Sequence, residues 1–264
     1  MSRRLAVLGH PVSHSRSPVM QNAALEQLGL SGEWSYEAID VPVSEITGFI
    51  RGMASSGFAG ANVTVPHKEI ALTLADQMTV AAREIGAANT LTFGPEGIHA
   101  DNTDAPGLLD ALEGPVSGKS ALLLGAGGAA RAVLWALANG GASVEVWNRT
   151  ESRAAELTAA LGGTVNSTPD AAGFDLIVNA SAAGLGGEGG ITELPVNPEA
   201  FHPGQTVVDM VYGEKPSTLL TAAAANGARI IDGLEILVRQ GALSLETWTG
   251  MKPSLDVMRE AVRG

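Results

Sequence analysis

Short apolar runs and helix-period stripes alternate along most of this chain, the pattern of an α/β protein. "RLAVLG" (4–9), "SYEAIDV" (35–41) and "GANVTV" (60–65) read as strands, and "SPVMQNAALEQLG" (17–29) and "EITGFIRGMASS" (45–56) as the helices between them. Pro18 suits the first turn of its helix, with Ser17 as a starting signal. In "GANVTVPHKEI" Val63 and Val65 share one face, Asn62 and Thr64 the other, and Pro66 ends the ladder. Ile70, Leu74 and Met78 then recur every four residues, which predicts one helix over "KEIALTLADQ" (68–77) with that stripe buried. Lys68 falls in its first turn, where the helix dipole disfavours a cation. "ANTLTFG" and "GIHADNTD" predict a hairpin with turn residues in "FGPEGI".

Beyond Asp104 the alternation becomes more regular. "APGLLDALEG" is a helix, residues 120–150 form a strand, turn, helix and strand, and "ESRAAELTAALGG" is the next helix. "DLIVNAS", "QTVVDMVY" and "ARIIDG" are buried-type strands, and residues 235–264 are helical throughout. The glycine-rich "GLGGEGGITELP" (184–195) reads as a flexible loop. Boundaries near 101 and 237 divide the chain into domains at 1–101 and 102–237, with 238–264 as helices that pack back on the first domain. A two-domain arrangement of this kind favours hinge motion.

Composition narrows the function classes. A chain of 264 residues, 45% hydrophobic, allows one large domain or two smaller ones, each with its own core. Net charge is −12 with no basic block, which argues against a nucleic-acid partner, and an anionic ligand would need locally placed cations. Cysteine is absent, so disulfides and thiol chemistry are excluded. The N-terminal apolar run is too short for a signal sequence and no run reaches membrane-span length, so the expected location is the cytoplasm. His10, His14 and His67 form no metal-ligand spacing, and no metal is expected.

The strongest motif is Gly125-Ala126-Gly127-Gly128-Ala129-Ala130, a G-x-G-x-x-A directly after the strand "ALLL" and opening a helix. In a complete βαβ unit this is the dinucleotide fingerprint, with the pyrophosphate on the helix N-terminus. The alternative is a glycine-rich turn without a ligand. The end of the second strand carries "WNRT" where an NAD site would carry an acid. Asn148, Arg149, Thr150 and then Arg153 suit a 2′-phosphate, so the cofactor expected is NADP. "GPVSGKS" (114–120) is not a P-loop, because only three residues separate its glycines and it precedes a strand.

"GHPVSHSRSPVMQN", "GANVTVPHK", "GAANT", "DNTDAPG", "GAGGAARA", "NRTESRA", "NASAAG", "DMVY" and "DGLEILVRQGA" together resemble, in order and spacing, the shikimate dehydrogenases. The resemblance runs from Gly9 to about Gly250. It implies a substrate domain completed by C-terminal helices and a Rossmann-type NADP domain. The implied reaction is NADP-dependent interconversion of 3-dehydroshikimate and shikimate, a step toward chorismate and the aromatic amino acids, by a monomer or homodimer. By the same resemblance Ser15, Ser17 and Tyr212 hold the substrate carboxylate, and Thr64, Asn89, Asp104 and Gln240 match ring-hydroxyl positions. Lys68 and Asp104 form the catalytic pair, and Ala180, Ser181, Met210 and Gly233 line the cofactor site. Read from the residues alone, Ser17 and Asp104 are also helix caps, Ser15 and Asn89 loop or turn residues, and Gln240 an exposed helical one. Asn62 is expected to hold its loop, and His14 and His67 to structure theirs. Arg16, Gln21 and the missing proline in "VYGEKPSTLL" depart from the family pattern. The alternatives are a quinate/shikimate dehydrogenase of the same fold and a non-catalytic NADP-binding module.

Overall fold

The computed structural model describes residues 3–184, 190–213 and 215–264. Five residues of the loop expected at 184–195, and Glu214 of "VYGEKPSTLL", lie outside them. The chain forms two compact units, one running to Gly107 and taking in Leu237–Gly264, the other Leu108–Ile236. Asp104, grouped with the second domain in the sequence reading, thus packs in the same unit as Lys68. Among the described residues no helix is long and apolar enough to cross a membrane.

The first unit begins with β1 (Arg3–Gly9), α1 (Ser17–Gln27), β2 (Trp34–Asp40), α2 (Ile46–Met53) and β3 (Phe58–Val63). It continues with α3 (Lys68–Thr73), β4 (Gln77–Met78), α4 (Val80–Ile85), the hairpin β5 (Thr90–Gly94) and β6 (Gly97–Asp101), and the start of α5 (Asp104–Leu112). Its sheet is ordered β2-β1-β3-β5-β6-β4. β2, β1 and β3 are parallel, while β5 runs antiparallel to both β3 and β6. The helix expected over 68–77 ends at Thr73, and β4 begins at Gln77 before the second short helix α4. Asp76 exchanges bonds with Ile98, donating its N–H at 2.8 Å and accepting through Oδ2 at 2.8 Å, which draws the chain onto β6. Thr79 then caps α4 by accepting from the Ala82 N–H at 3.1 Å. Met78 is consequently exposed rather than on a buried stripe.

The second unit holds β7 (Ser120–Leu124), α6 (Gly128–Asn139), β8 (Ser143–Trp147), α7 (Glu151–Leu161), β9 (Thr164–Val165), β10 (Leu176–Asn179), β11 (Thr206–Asp209), α8 (Thr218–Ala225) and β12 (Arg229–Ile231). All its strand pairs are parallel. The order β12-β11-β10-β7-β8-β9 is the doubly wound arrangement, reversing direction between β7 and β10. Near-continuous apolar runs such as Ala121–Leu124 and Leu176–Val178 follow from burial on both faces. Two apolar layers flank this sheet, one built around Leu123 with Val133 and Leu137, the other around Leu122, Phe201 and Leu219.

The chain ends in α9 (Gly233–Thr249) and α10 (Leu255–Arg263). From Leu237 onward they complete the first unit. Small residues let α9 approach closely. A Cβ on Gly60 of β3 would collide with the Trp248 ring, and one on Gly107 would meet the Gln240 backbone nitrogen at 2.9 Å. Gln21, buried on α1, donates to the Gly241 carbonyl at 3.0 Å, and Trp248 Nε1 donates to the Leu91 carbonyl at 3.0 Å.

Candidate active site

In the first unit the candidate residues gather at the C-terminal ends of β1 and β3 and at the start of α5. β1 and β3 are neighbours in register, Leu8 opposite Val63, and their exits are tied by Thr64 N–H to Leu8 O at 2.8 Å and His10 N–H to Val65 O at 3.0 Å. This pairing sets the loop that carries Ser15 beside the turn that carries Lys68.

Lys68 opens α3 and is buried, an expensive place for an ammonium without a partner. Its partner is Asp104, whose Oδ2 lies 2.5 Å from Lys68 Nζ. The Lys68 carbonyl accepts the Ala88 N–H at 2.9 Å, which ties this turn to the segment leading to Asn89. Asp104 does not spend its carboxylate on a cap: Asn102 Oδ1 takes the N–H groups of Asp104 at 3.1 Å and Ala105 at 3.4 Å. Both Asp104 oxygens therefore serve other partners, Oδ2 facing Lys68 and Oδ1 accepting from Asn89 Nδ2 at 2.8 Å.

The direction of that Asn89 bond is set by the backbone. Asn89 Oδ1 accepts the Thr103 N–H at 2.7 Å, and an N–H can only donate, so Nδ2 must face Asp104. Gln240 Oε1 accepts from the same Nδ2 at 3.1 Å, while its own amide nitrogen donates to the Leu237 carbonyl at 2.8 Å. Gln240 is buried, not an exposed helical residue.

Beneath these groups lies a buried polar layer that the sequence reading did not single out. Tyr36 Oη donates to Asn62 Oδ1 at 2.8 Å, and Asn62 Nδ2 donates to the Asn89 carbonyl at 3.1 Å and to Ser244 Oγ at 2.9 Å. Thr90 and Thr103 hydroxyls meet Ser244 Oγ at 2.8 and 3.0 Å. Asn62 thus ties strands and α9 together, where the sequence suggested only that it holds its loop. The one signal in the sequence was the run of small polar residues in "ANT" and "DNTD", which mutual hydrogen bonds can bury.

The serines and Thr64 differ from this saturated layer. Ser15 Oγ accepts the Ser17 N–H at 3.2 Å, and Ser17 is not the helix cap expected, since the N-cap of α1 is Arg16 and no side chain caps it. The buried Ser17 hydroxyl and the half-buried Thr64 hydroxyl make no hydrogen bond among the described residues. Two uncommitted hydroxyls next to a saturated polar network mark a place for a small polar ligand. His67, fully buried, sends Nε2 to the Val41 carbonyl at 2.7 Å, and burial holds its pKa below the ordinary value.

In the second unit Gly125 follows β7 with φ +116°, a conformation that favours glycine, and a Cβ there would lie 2.8 Å from the Ala180 carbonyl carbon and the Ser181 nitrogen. The turn is thereby packed against the segment after β10, at the switch point of the sheet. Gly127 is the N-cap of α6 and offers no side-chain cap. A Cβ on Gly127 would meet no protein atom within 4 Å, so the space above this helix terminus is left open by the chain itself. Gly128 and Ala129 begin the helix, whose first-turn N–H groups have no intrahelical acceptors. Such a terminus fits a dinucleotide pyrophosphate. At the end of β8, Asn148 Nδ2 bridges to the Thr150 carbonyl at 2.8 Å, and Arg149 and Arg153 are exposed, with no side-chain partner among the described residues. Ala126, Met210 and Ala180 pack against the apolar layer of this unit, and a Cβ on Gly233 would meet the Met210 carbonyl oxygen at 2.6 Å. Tyr212, half-buried, follows β11 in the same unit.

Three family profiles match: the shikimate dehydrogenase substrate binding domain over residues 7–91, shikimate / quinate 5-dehydrogenase over 108–183, and the shikimate 5′-dehydrogenase C-terminal domain over 233–263. The shikimate dehydrogenase (NADP(+)) of Methanocella arvoryzae is 42% identical, with 97% of each chain covered. This chain belongs to the shikimate dehydrogenase family. The shikimate dehydrogenase (NADP(+)) of Anaeromyxobacter dehalogenans is 44% identical over 96% of this chain and 93% of its own. The crystal structure of shikimate 5-dehydrogenase from Thermus thermophilus, in complex with NADP(H) and shikimate, superposes with a TM-score of 0.90 at 42% identity, covering 99% of this chain and 98% of that one. The family's two-sheet α/β fold is the one described above.

Proposed function

We propose that this chain is an NADP-dependent shikimate dehydrogenase, interconverting 3-dehydroshikimate and shikimate. The observation that carries the reading is the buried Lys68–Asp104 pair held by Asn89 beside uncommitted hydroxyls. Gly125–Ala129 and Arg149 would hold the dinucleotide, which would supply or accept the hydride. Lys68 serves the oxygen of the reacting carbon. In the reducing direction negative charge develops there, and an ammonium stabilises and protonates it. Nζ gives one proton to the Asp104 contact and keeps two for substrate. Asp104 orients the ammonium and the substrate hydroxyl, and in the oxidising direction the same route runs in reverse, with the neutral Lys68 amine taking the hydroxyl proton. Ser15 and Ser17 each offer a hydroxyl to the substrate carboxylate, a role the family resemblance also gives to Tyr212. Thr64, Asn89 and Gln240 address the ring hydroxyls.

The cofactor preference follows from the β8 terminus. Arg149 and Arg153 are exposed cations in a chain of net charge −12, placed where a ribose-binding acid would favour NAD. Thr150 and Asn148 border the same phosphate, and Arg131 adds charge near the turn. Incubation of the purified protein with shikimate and NADP should yield NADPH and 3-dehydroshikimate in equal amounts. Binding of NADP without product would leave only a cofactor-binding module.

A further inference from the structure

Asp209 is a buried carboxylate that the proposed chemistry leaves unused. It closes β11 and is 1% exposed; its partner in register at the end of β10, Asn179, is equally buried. Asp209 Oδ1 accepts from Asn179 Nδ2 at 2.9 Å and from the Val211 N–H at 3.0 Å. A hydrogen bond from the Ser217 side chain also favours its charge, and no cation among the described residues pairs with it. Burial pushes its carboxyl above the ordinary value against these donors. A carboxylate in this position is costly, and an apolar side chain would fill the strand end more stably if filling were its only task.

The bonds around it point to another task. Asn179 Oδ1 accepts from the Ser181 N–H at 3.1 Å and the Ser181 hydroxyl at 2.7 Å. An N–H only donates, so the Asn179 amide must turn its nitrogen to Asp209. Ser181 Oγ in turn accepts the Ala183 N–H at 3.2 Å. One hydrogen-bonded line therefore joins Val211, which lies between Met210 and Tyr212, to the Ala180–Ser181 turn that packs on Gly125.

We propose that Asp209 is a positioning residue: its carboxylate sets the Met210–Tyr212 segment directly and the Ala180–Ser181 turn through Asn179. One buried group thus governs affinity for cofactor and for substrate together. This rests on the shikimate and NADP reading. Three variants separate the two arms. Asp209→Ala removes the acceptor for both segments, Asp209→Asn keeps an oxygen there, and Asn179→Ala frees Ser181 and takes one donor from Asp209 while the Val211 N–H keeps its acceptor.

Calorimetric titration with NADP and steady-state kinetics with shikimate read the result. Asp209→Ala should raise the NADP Kd and the shikimate KM by about tenfold each, as expected for unpaired buried donors, with kcat within about threefold. Asp209→Asn should restore both constants to within about threefold of the parent, and Asn179→Ala should raise the NADP Kd about tenfold with the shikimate KM nearly unchanged. If Asp209→Ala does not fold, the contrast between Asp209→Asn and Asn179→Ala decides. Unchanged NADP affinity in Asn179→Ala overturns the proposal, as does a fall in kcat alone in Asp209→Ala. A parent protein that binds NADP but does not turn over shikimate breaks the functional reading instead, and leaves the NADP arm of the test standing.

Discussion

Replacing Lys68 by methionine isolates the ammonium, because methionine keeps most of the aliphatic stem while removing the charge. The Lys68 and Asp104 side chains are 10% and 6% exposed, so the pair is screened little by water. Breaking one side of a buried pair costs about 3–5 kcal/mol, chiefly through the charge left behind. Asp104 retains the Asn89 N–H on Oδ1, so the lower end, about 3 kcal/mol, is expected here. The catalytic effect is separate. Loss of a general acid lowers turnover by about 10²–10⁴-fold, or about 3–5 kcal/mol of barrier. Thermal unfolding reads the first quantity, and shikimate oxidation followed by nicotinamide absorbance the second. NADP affinity, measured by titration, should stay within about twofold, because the dinucleotide turn and Lys68 belong to different units. A folded Lys68→Met protein with turnover within about tenfold of the parent would refute the catalytic assignment. Loss of NADP binding in that variant would do so equally.

Arg149→Ala should weaken NADP by about tenfold while barely affecting NAD, since a charge-assisted phosphate contact is lost; equal weakening of both cofactors counts against the 2′-phosphate contact. Gly125→Ala should abolish measurable NADP binding and lower thermal stability, because φ is +116° and the new Cβ would sit 2.8 Å from Ala180; retained binding would show that the turn relaxes. His67 is held neutral by burial, below the ordinary value of 6.5. The unfolded chain then takes up a proton that the folded chain refuses, so stability is present above about pH 6.5 and lost as pH falls through the folded value. Unfolding temperatures between about pH 7 and 5 should fall more steeply for the parent than for His67→Gln, which keeps a donor toward Val41; parallel slopes would contradict this.

The dinucleotide unit was legible because its signals are local. A period-2 or all-apolar strand, glycines at required turns and a helical stripe all lie within about thirty residues, and β7, Gly125 and α6 stand where that pattern puts them. The hairpin of β5 and β6 was equally local, with Gly94 opposite Gly97 across Pro95-Glu96. Two kinds of feature were hidden. The break after Thr73 depends on Asp76 bonding to Ile98, a partner twenty-two residues on, which outweighs the spacing of Ile70, Leu74 and Met78. The layer of Tyr36, Asn62, Thr90, Thr103 and Ser244 joins five separate segments, and no one of them shows that its polar residue will be buried. Asn102 displays the same limit. Spacing alone allowed Asp104 to be a cap, and only the geometry frees its carboxylate by giving the cap to its neighbour.

The central claim, that this site passes hydride between shikimate and NADP, is tested most directly by initial rates of the unmodified protein with shikimate or quinate, each with NADP or NAD. The account predicts that shikimate with NADP exceeds the other three combinations by at least about tenfold in kcat/KM. Equal or faster turnover of quinate with NAD, or no turnover of shikimate at all, would contradict it.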